Sequence, residues 1–474
     1  MRGGWRDGKS MKAYLDILKL VWPLALGMVN NAAMQFVDRA YLARESMASL
    51  EAVLPATSLV WLFLGFFQSI VGYSGVFVAQ HHGAGNERMC ARSYHAGLII
   101  AALSGLAMLP LVPLGDMFFG FTPVSAEVAA LERSYYDVAA SCGVFVFGHM
   151  ASSAYFTGMG RTRVVFWVNL AGNVLNILLD PIFIFGPSVL REPLGFFGVA
   201  IGPERGGMGI AGAAWATVIS QAAQFAVLAA LAWRQTRRVC DVRPSAGDEA
   251  ALPTWGLCRR ILRFGLASGG YEMLNMLSFA IFVFVSGNVG DVALAASNAC
   301  FTVNWLLFAP MVGFSIGAQT LVGQARGRGD DAGAVLATRR TLVLGVGFAA
   351  LMAGIVVALH TPILSLFAPA EGPERAEFMS TGFTLMTLMF SWLLLDSADM
   401  ILSGALKGAG DTRFVFCWML VCSFLVWMPL VFVVSRLHNT MPALWSTMVA
   451  YVVVICAGSA VRWRRGRWKR HRLV

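Results

Sequence analysis

The sequence is poor in charge. Asp, Glu, Lys and Arg make up 13% of its 474 residues, roughly half the ~25% of a soluble globular chain. With 57% hydrophobic residues and a mean hydropathy of +0.67, that shortage excludes a soluble protein of this length. A single core stops growing beyond about 250–300 residues, so the remaining apolar surface has to face lipid. Metal-binding cysteine patterns are also lacking. The eight cysteines (Cys90, Cys142, Cys240, Cys258, Cys300, Cys417, Cys422 and Cys456) form no CxxC pair and lie mostly in apolar segments. They read as buried thiols, with no zinc module among them. Histidine is scarce there too. Only His149 sits well inside an apolar segment, where it reads as packed or pore-lining, and His81–His82 fall in a loop. No catalytic pair or metal cluster lies within the apolar segments, so the chain is not expected to be an enzyme and needs no cofactor beyond a transported ion.

What the chain does have is a series of long apolar runs. About 20 apolar residues cross a bilayer, more where a helix tilts. Spans are expected near 14–42, 50–80, 93–115, 128–157, 163–186, 208–233, 259–287, 292–323, 336–367, 376–405, 412–436 and 440–461. The basic start Met1–Lys12 resembles a signal peptide, but its apolar run is too long and lacks a small-residue cleavage site; it reads as an uncleaved first helix. The net charge of +10 is gathered in short runs between spans rather than over a domain face, which argues for topology and against nucleic acid. The N-terminus, even-numbered loops and C-terminal tail hold 28 basic residues, and the odd loops hold seven. Positive loops stay inside, so both termini are expected in the cytoplasm of a plasma (inner) membrane protein. The tail WRRGRWKRHR reads mostly as a topology anchor.

The two halves repeat one plan. Residues 61–86 align without gaps on 305–330, pairing Trp61 with Trp305 and Gln80 with Gln324, and Gly83 and Gly85 with Gly327 and Gly329. A second match sets GMGRTRVVF (158–166) on GAGDTRFVF (408–416), identical at six of nine positions. Six spans per unit is an even number, so both copies enter the membrane in the same direction, related by an axis along its normal with a cleft between them. The expected fold is an all-α membrane protein of twelve helices in two pseudo-symmetric six-helix lobes. The domains are 1–238, a cytoplasmic linker at 239–258, and 259–474 with its basic tail.

Polar residues inside the spans recur at helical spacing. The first span carries Asn31, Gln35 and Asp38; the fifth Asn169, Asn173, Asn176 and Asp180; the sixth Thr217, Gln221 and Gln224. The seventh has Ser268, Glu272 and Asn275, and the tenth Asp396 and Asp399. Each ionisable group at mid-membrane costs at least about 2.5–3.5 kcal/mol, and the polar stripes themselves carry no Lys or Arg to neutralise them. Two carboxyls brought close cannot both be ionised cheaply, so a proton or sodium ion would be held there. Under the repeat offsets Asp180 faces Leu430 and Asp38 falls near Phe282. The fold is duplicated and the acidic pair is not, which points to a specialised N-terminal site.

Those residues carry a family resemblance. LVWPLALG and FVDRAYLA in the first span, GMGRTR after the fourth and NVLNILLDPIFIFG in the fifth resemble the multidrug and toxic compound extrusion (MATE) transporters. So do GAAWATVISQ in the sixth and LSGALKGAGDTR after the tenth. The resemblance implies a secondary antiporter that exports amphipathic or cationic small molecules in exchange for H⁺ or Na⁺. It implies a coupling site of Asp38, Asn176, Asp180, Thr217 and Tyr135, with Na⁺ held at Asp38, Asn176 and Asp180 if sodium is the ion. It also implies a hinge at Pro23, whose ring removes a helix hydrogen bond. Gln35, Asn31, Glu272, Asn275, Asp396 and Asp399 are expected to line the substrate cavity. The sequence departs from the family at Asn275, which stands where one branch has a seventh-span Glu. It departs again at 40–46 (AYLARES), which lacks the usual glycine-rich turn. A related flippase for lipid-linked saccharides is the alternative; it would favour a cationic cavity for phosphate head groups. The expected partners are organic cations and the lipid bilayer, with no nucleic acid, and the chain is expected to act as a monomer.

Overall fold

The computed structural model describes residues 11–120, 124–186, 206–240, 254–369, 372–471 and 473. Helices dominate and no strand occurs among the described residues, as lipid requires: a helix satisfies its own backbone polar groups. The first half contains α1 (Met11–Glu45), α2 (Met47–Gly72), α3 (Ser74–Gly83), α4 (Glu87–Met108) and a short α5 (Leu114–Phe119). It continues with α6 (Ala126–Ser141), α7 (Gly143–Gly158), α8 (Thr162–Phe185) and α9 (Ile210–Cys240). The second half contains α10 (Thr254–Ser286), α11 (Asp291–Gly327), α12 (Asp331–Ala358), a short α13 (His360–Ser365) and α14 (Pro373–Gly408). It ends with α15 (Thr412–Leu420), a π turn, α16 (Met428–Leu437) and α17 (Met441–Arg464).

Among the described residues eleven helices are long and apolar enough to span a membrane, and α6–α7, bent by 48° at Cys142, make a twelfth when taken as one span. The fold is all-α, with twelve spans in two six-span bundles. The repeat is visible in its details. The spans Met47–Gly83 and Asp291–Gly327 are both 37 residues long. Each is followed by a glycine at positive φ, Gly85 at 77° and Gly329 at 70°, where an L side chain would be strained. Next comes a side-chain cap: Asn86 accepts from the Met89 N–H at 3.0 Å and Asp330 from the Gly333 N–H at 2.8 Å. Each cap satisfies one of the free N–H groups that a helix start leaves.

By packing, the chain forms two compact units. One comprises residues up to Val29, Ala79–Gly85 and the chain from Gly270 onward; the other comprises Asn30–Val78 and Asn86–Gly269. In the first, small residues let helices approach closely, as in membranes generally. A Cβ on Gly313 of α11 would strike the Ala25 backbone of α1, and one on Gly317 would strike Val21. The linker expected at 239–258 is helical at both described ends, to Cys240 and from Thr254. Its middle, 241–253, lies outside the described residues.

The basic tail does more than mark topology. Gly466 turns the chain back at φ 67°, and Trp468, fully buried, stacks on Trp463 at 4.4 Å between centroids. Arg462 grips Asp411 with two hydrogen bonds of 2.7 and 3.1 Å, and His471 reaches the same carboxylate at 3.3 Å. Arg326, ion-paired with Asp331, donates to the Lys469 and His471 carbonyls at 3.1 and 2.8 Å. The first half solves the same corner with the polarity exchanged: Arg161, the repeat partner of Asp411, donates to Gln235 at 2.9 Å. Because Asp411 is 2% exposed, removing Arg462 takes away both guanidinium hydrogen bonds of a buried carboxylate. Arg462→Ala is expected to cost about 3 kcal/mol, read as a lowered thermal midpoint in detergent. An unchanged midpoint would show that the tail docks without holding the fold.

Candidate ion-coupling site

The site lies in the unit formed by Asn30–Val78 and Asn86–Gly269, and α8 explains why it is dry. Trp167, Val174 and Leu178 are exposed on one side of this helix, while Asn173, Asn176 and Asp180 are buried. Residues two apart on a helix are offset by about 200°, which puts the two sets on opposite faces: the apolar one meets lipid and the polar one faces inward. The start of α9 presses against the end of α8. A Cβ on Gly212 would collide with the Phe183 carbonyl, and the Met208 and Gly209 N–H groups bond the Phe183 and Ile184 carbonyls at 2.8 and 3.1 Å. That contact sets Thr217 beside Asn176.

The Asn176 side chain then links three helices. Its Nδ2 donates to Asp38 Oδ1 on α1 at 3.0 Å, and its Oδ1 accepts from the Thr217 N–H on α9 at 3.2 Å. The Thr217 hydroxyl is committed to the Ala213 carbonyl at 3.0 Å. Asp180 is 0% exposed, and neither of its oxygens finds an N–H or O–H donor. What it meets within hydrogen-bonding reach is the Asp38 carboxyl. Ionised carboxylates only accept, so this contact calls for a proton or a small cation between them. Pro181, next in the chain, has no N–H, which frees the Ile177 carbonyl of its helical donor.

A cavity of about 30 Å³ opens beside the pair, lined by Gln35, Asp38, Arg39, Leu42, Val53, Thr57, Tyr135, Ala213 and Thr217. It has room for a water or a small ion, and falls far short of the roughly 300 Å³ at which drug-sized pockets begin. Tyr135 adjoins the Thr57 hydroxyl, itself bonded to the Val53 carbonyl. Arg39 is exposed but lines the cavity. Two carboxylates against one guanidinium leave a single negative charge, which one H⁺ or Na⁺ neutralises.

Asp38, Asn176, Asp180, Thr217, Tyr135 and Gln35 are thus brought together, while Asn31 is half-buried one turn away on α1. Pro23 is buried within α1, and the helix runs through it unbroken. The sequence did not single out Thr57, Arg39 or Pro181. A carboxyl pair needs an opposing charge and a hydroxyl to hold its tyrosine, but nothing in the spacing of α2 marks Thr57.

In the other unit, the expectation that no Lys or Arg neutralises the carboxylates does not hold. Lys407, assigned to a loop, is buried at the end of α14. It reaches Glu272 at 3.3 Å and sits 3.9 Å from the Tyr271 ring centroid. Its four-carbon stem lets the ammonium reach back into the helix bundle from a helix end. Arg340 on α12 is buried as well, against the Tyr14 ring. Asp399 is buried and accepts from the Ser403 hydroxyl at 3.4 Å; Asp396, half-buried, adjoins Trp392. Asn275 is half-buried three residues after Glu272.

The sequence pattern of the MatE family matches residues 23–182 and 270–433. A protein described as a probable multidrug resistance protein NorM, from Bradyrhizobium diazoefficiens, is 26% identical over 422 residues, covering 89% of this chain and 86% of its own length. The multidrug resistance protein MdtK of Edwardsiella ictaluri is 23% identical over 475 residues, covering 99% and 97%. A crystal structure of MATE in the straight conformation shares the fold, with a TM-score of 0.81 at 19% identity over 97% of each chain. The matches span both halves of the repeat, and the chain belongs to the MatE family of membrane transporters.

Proposed function

We propose that the protein is a multidrug efflux antiporter of the inner membrane, exporting amphipathic organic cations in exchange for H⁺ or Na⁺ with both termini cytoplasmic. The observation that carries this reading is the Asp38–Asp180 pair. Asp180 is fully buried without a donor, and the pair adjoins a cavity fit for an ion and too small for a drug. Cation coupling and drug binding therefore occupy different places. Asp38, Asn176, Asp180, Thr217 and Tyr135 hold the ion; Asp396 and Asp399, with Glu272 held by Lys407, supply negative charge toward a cationic substrate. Pro23 supplies the point at which α1 bends. The relatives named for multidrug resistance support the substrate class, and the acidic span residues weigh against an anionic head group. A membrane potential gives about 2.3 kcal/mol per 100 mV for each net charge moved inward, roughly 50-fold accumulation per net charge; a one-for-one exchange of monovalent cations moves none and draws on the pH or sodium gradient alone. Purified protein in liposomes should accumulate a fluorescent organic cation when a pH or sodium gradient is imposed. Accumulation that ignores both gradients would rule the reading out.

A further inference from the structure

The polar face of α8 continues well past the coupling pair. From Asp180 it runs back through Asn176 and Asn173 to Asn169, about 16 Å along the helix. There it ends on His149 of α7: Nε2 lies 2.9 Å from Asn169 Oδ1 and 3.2 Å from the Ser153 hydroxyl. From α9, Gln224 donates to Asn173 at 3.5 Å. Asn173 Nδ2 and Gln221 Oε1 are buried and lack partners. Buried amide atoms are almost always satisfied, and a polar site that the protein leaves unsatisfied takes water. Gly172 fits the same purpose, since a Cβ there would strike the Gln224 amide. The neighbouring α4 brings Tyr94 to Ser152 of α7 at 3.2 Å.

We propose that this stripe is a hydrated track that carries the coupling proton between the Asp38–Asp180 pair and the Thr162 end of α8, with His149 as its relay. The proposal rests on the coupling-site reading above. Asn169 Oδ1 only accepts, so Nε2 holds the His149 proton and Nδ1 keeps its lone pair. Nε2 faces the track at Asn169 and Ser153, so the ring flips to turn the bare Nδ1 toward the track; Nδ1 takes the proton that the carboxyl pair releases along water ordered by the amides, and the Nε2 proton, now on the far side, leaves. One proton enters and one leaves, and a further flip of the ring brings the bare nitrogen back to the track for the next proton.

The test uses the reconstituted full chain. His149→Gln keeps a hydrogen-bonding amide but cannot take and release a proton. It is expected to slow pH-driven export of an organic cation at least tenfold, with substrate counterflow, which moves no net proton, and the thermal midpoint unchanged. Asn173→Leu should give the same pattern, and Val174→Leu on the lipid face should not. A wild-type pH-driven rate in His149→Gln overturns the relay, as does wild-type protein driven by Na⁺ with no proton movement. Should Asp180→Asn remain fully proton-driven while His149→Gln fails, the coupling-site reading is at fault instead.

Discussion

Asp180→Asn is expected to reduce ion-driven export at least about 100-fold, close to the 2.7 kcal/mol that two decades of affinity represent, while the protein stays folded in the membrane. Asp180 is fully buried and its oxygens have no donors. The amide therefore removes a desolvated carboxyl rather than a satisfied one, and the thermal midpoint should hold or rise. What the amide cannot do is share a proton or bind a cation with Asp38. Asp38→Asn should behave likewise in transport, because Asn176 ties Asp38 to Thr217 and the pair acts as one unit. Asp180→Glu keeps the charge and should retain part of the activity. Export rates in liposomes beside midpoints in detergent separate loss of coupling from loss of fold.

The second large effect is expected at the carboxylates of the other unit. Neutralising Asp396 and Asp399 together should weaken binding of organic cations by about 2 kcal/mol, roughly 30-fold, measured as the dissociation constant of a fluorescent cation. Glu272→Gln should act differently. Glu272 is already paired with Lys407, so the change removes the ion-pair partner of a buried ammonium, and a lowered midpoint should accompany any change in affinity. If all three neutralised together leave affinity and turnover untouched, this unit holds no substrate charge.

Much of this was legible in the residues. The 4-3-4 spacing of Asn169, Asn173, Asn176 and Asp180 marks the inward face of α8 because a membrane helix sorts its residues between lipid and protein. The repeat was legible for a similar reason: the turns at Gly85 and Gly329 adopt positive φ, which only glycine takes freely. Long-range pairings were not legible. Lys407 reads as a loop cation until α14 is seen to reach Gly408 and bring it to Glu272. The tail reads as a run of positive charge until Trp468 is found stacked beneath Arg326. Periodicity reports which face of a helix is polar; it does not report which other helix that face meets.

The central claim is that the Asp38–Asp180 pair couples ion entry to drug export. The most direct measurement follows ion flux and cation flux together in liposomes holding either the wild-type chain or the Asp38→Asn/Asp180→Asn double variant. The wild type should move H⁺ or Na⁺ opposite to the organic cation. The double variant should move no coupled ion and accumulate no substrate, while still binding it. Full ion-coupled accumulation by the double variant would contradict the account and shift coupling to the carboxylates of the other unit.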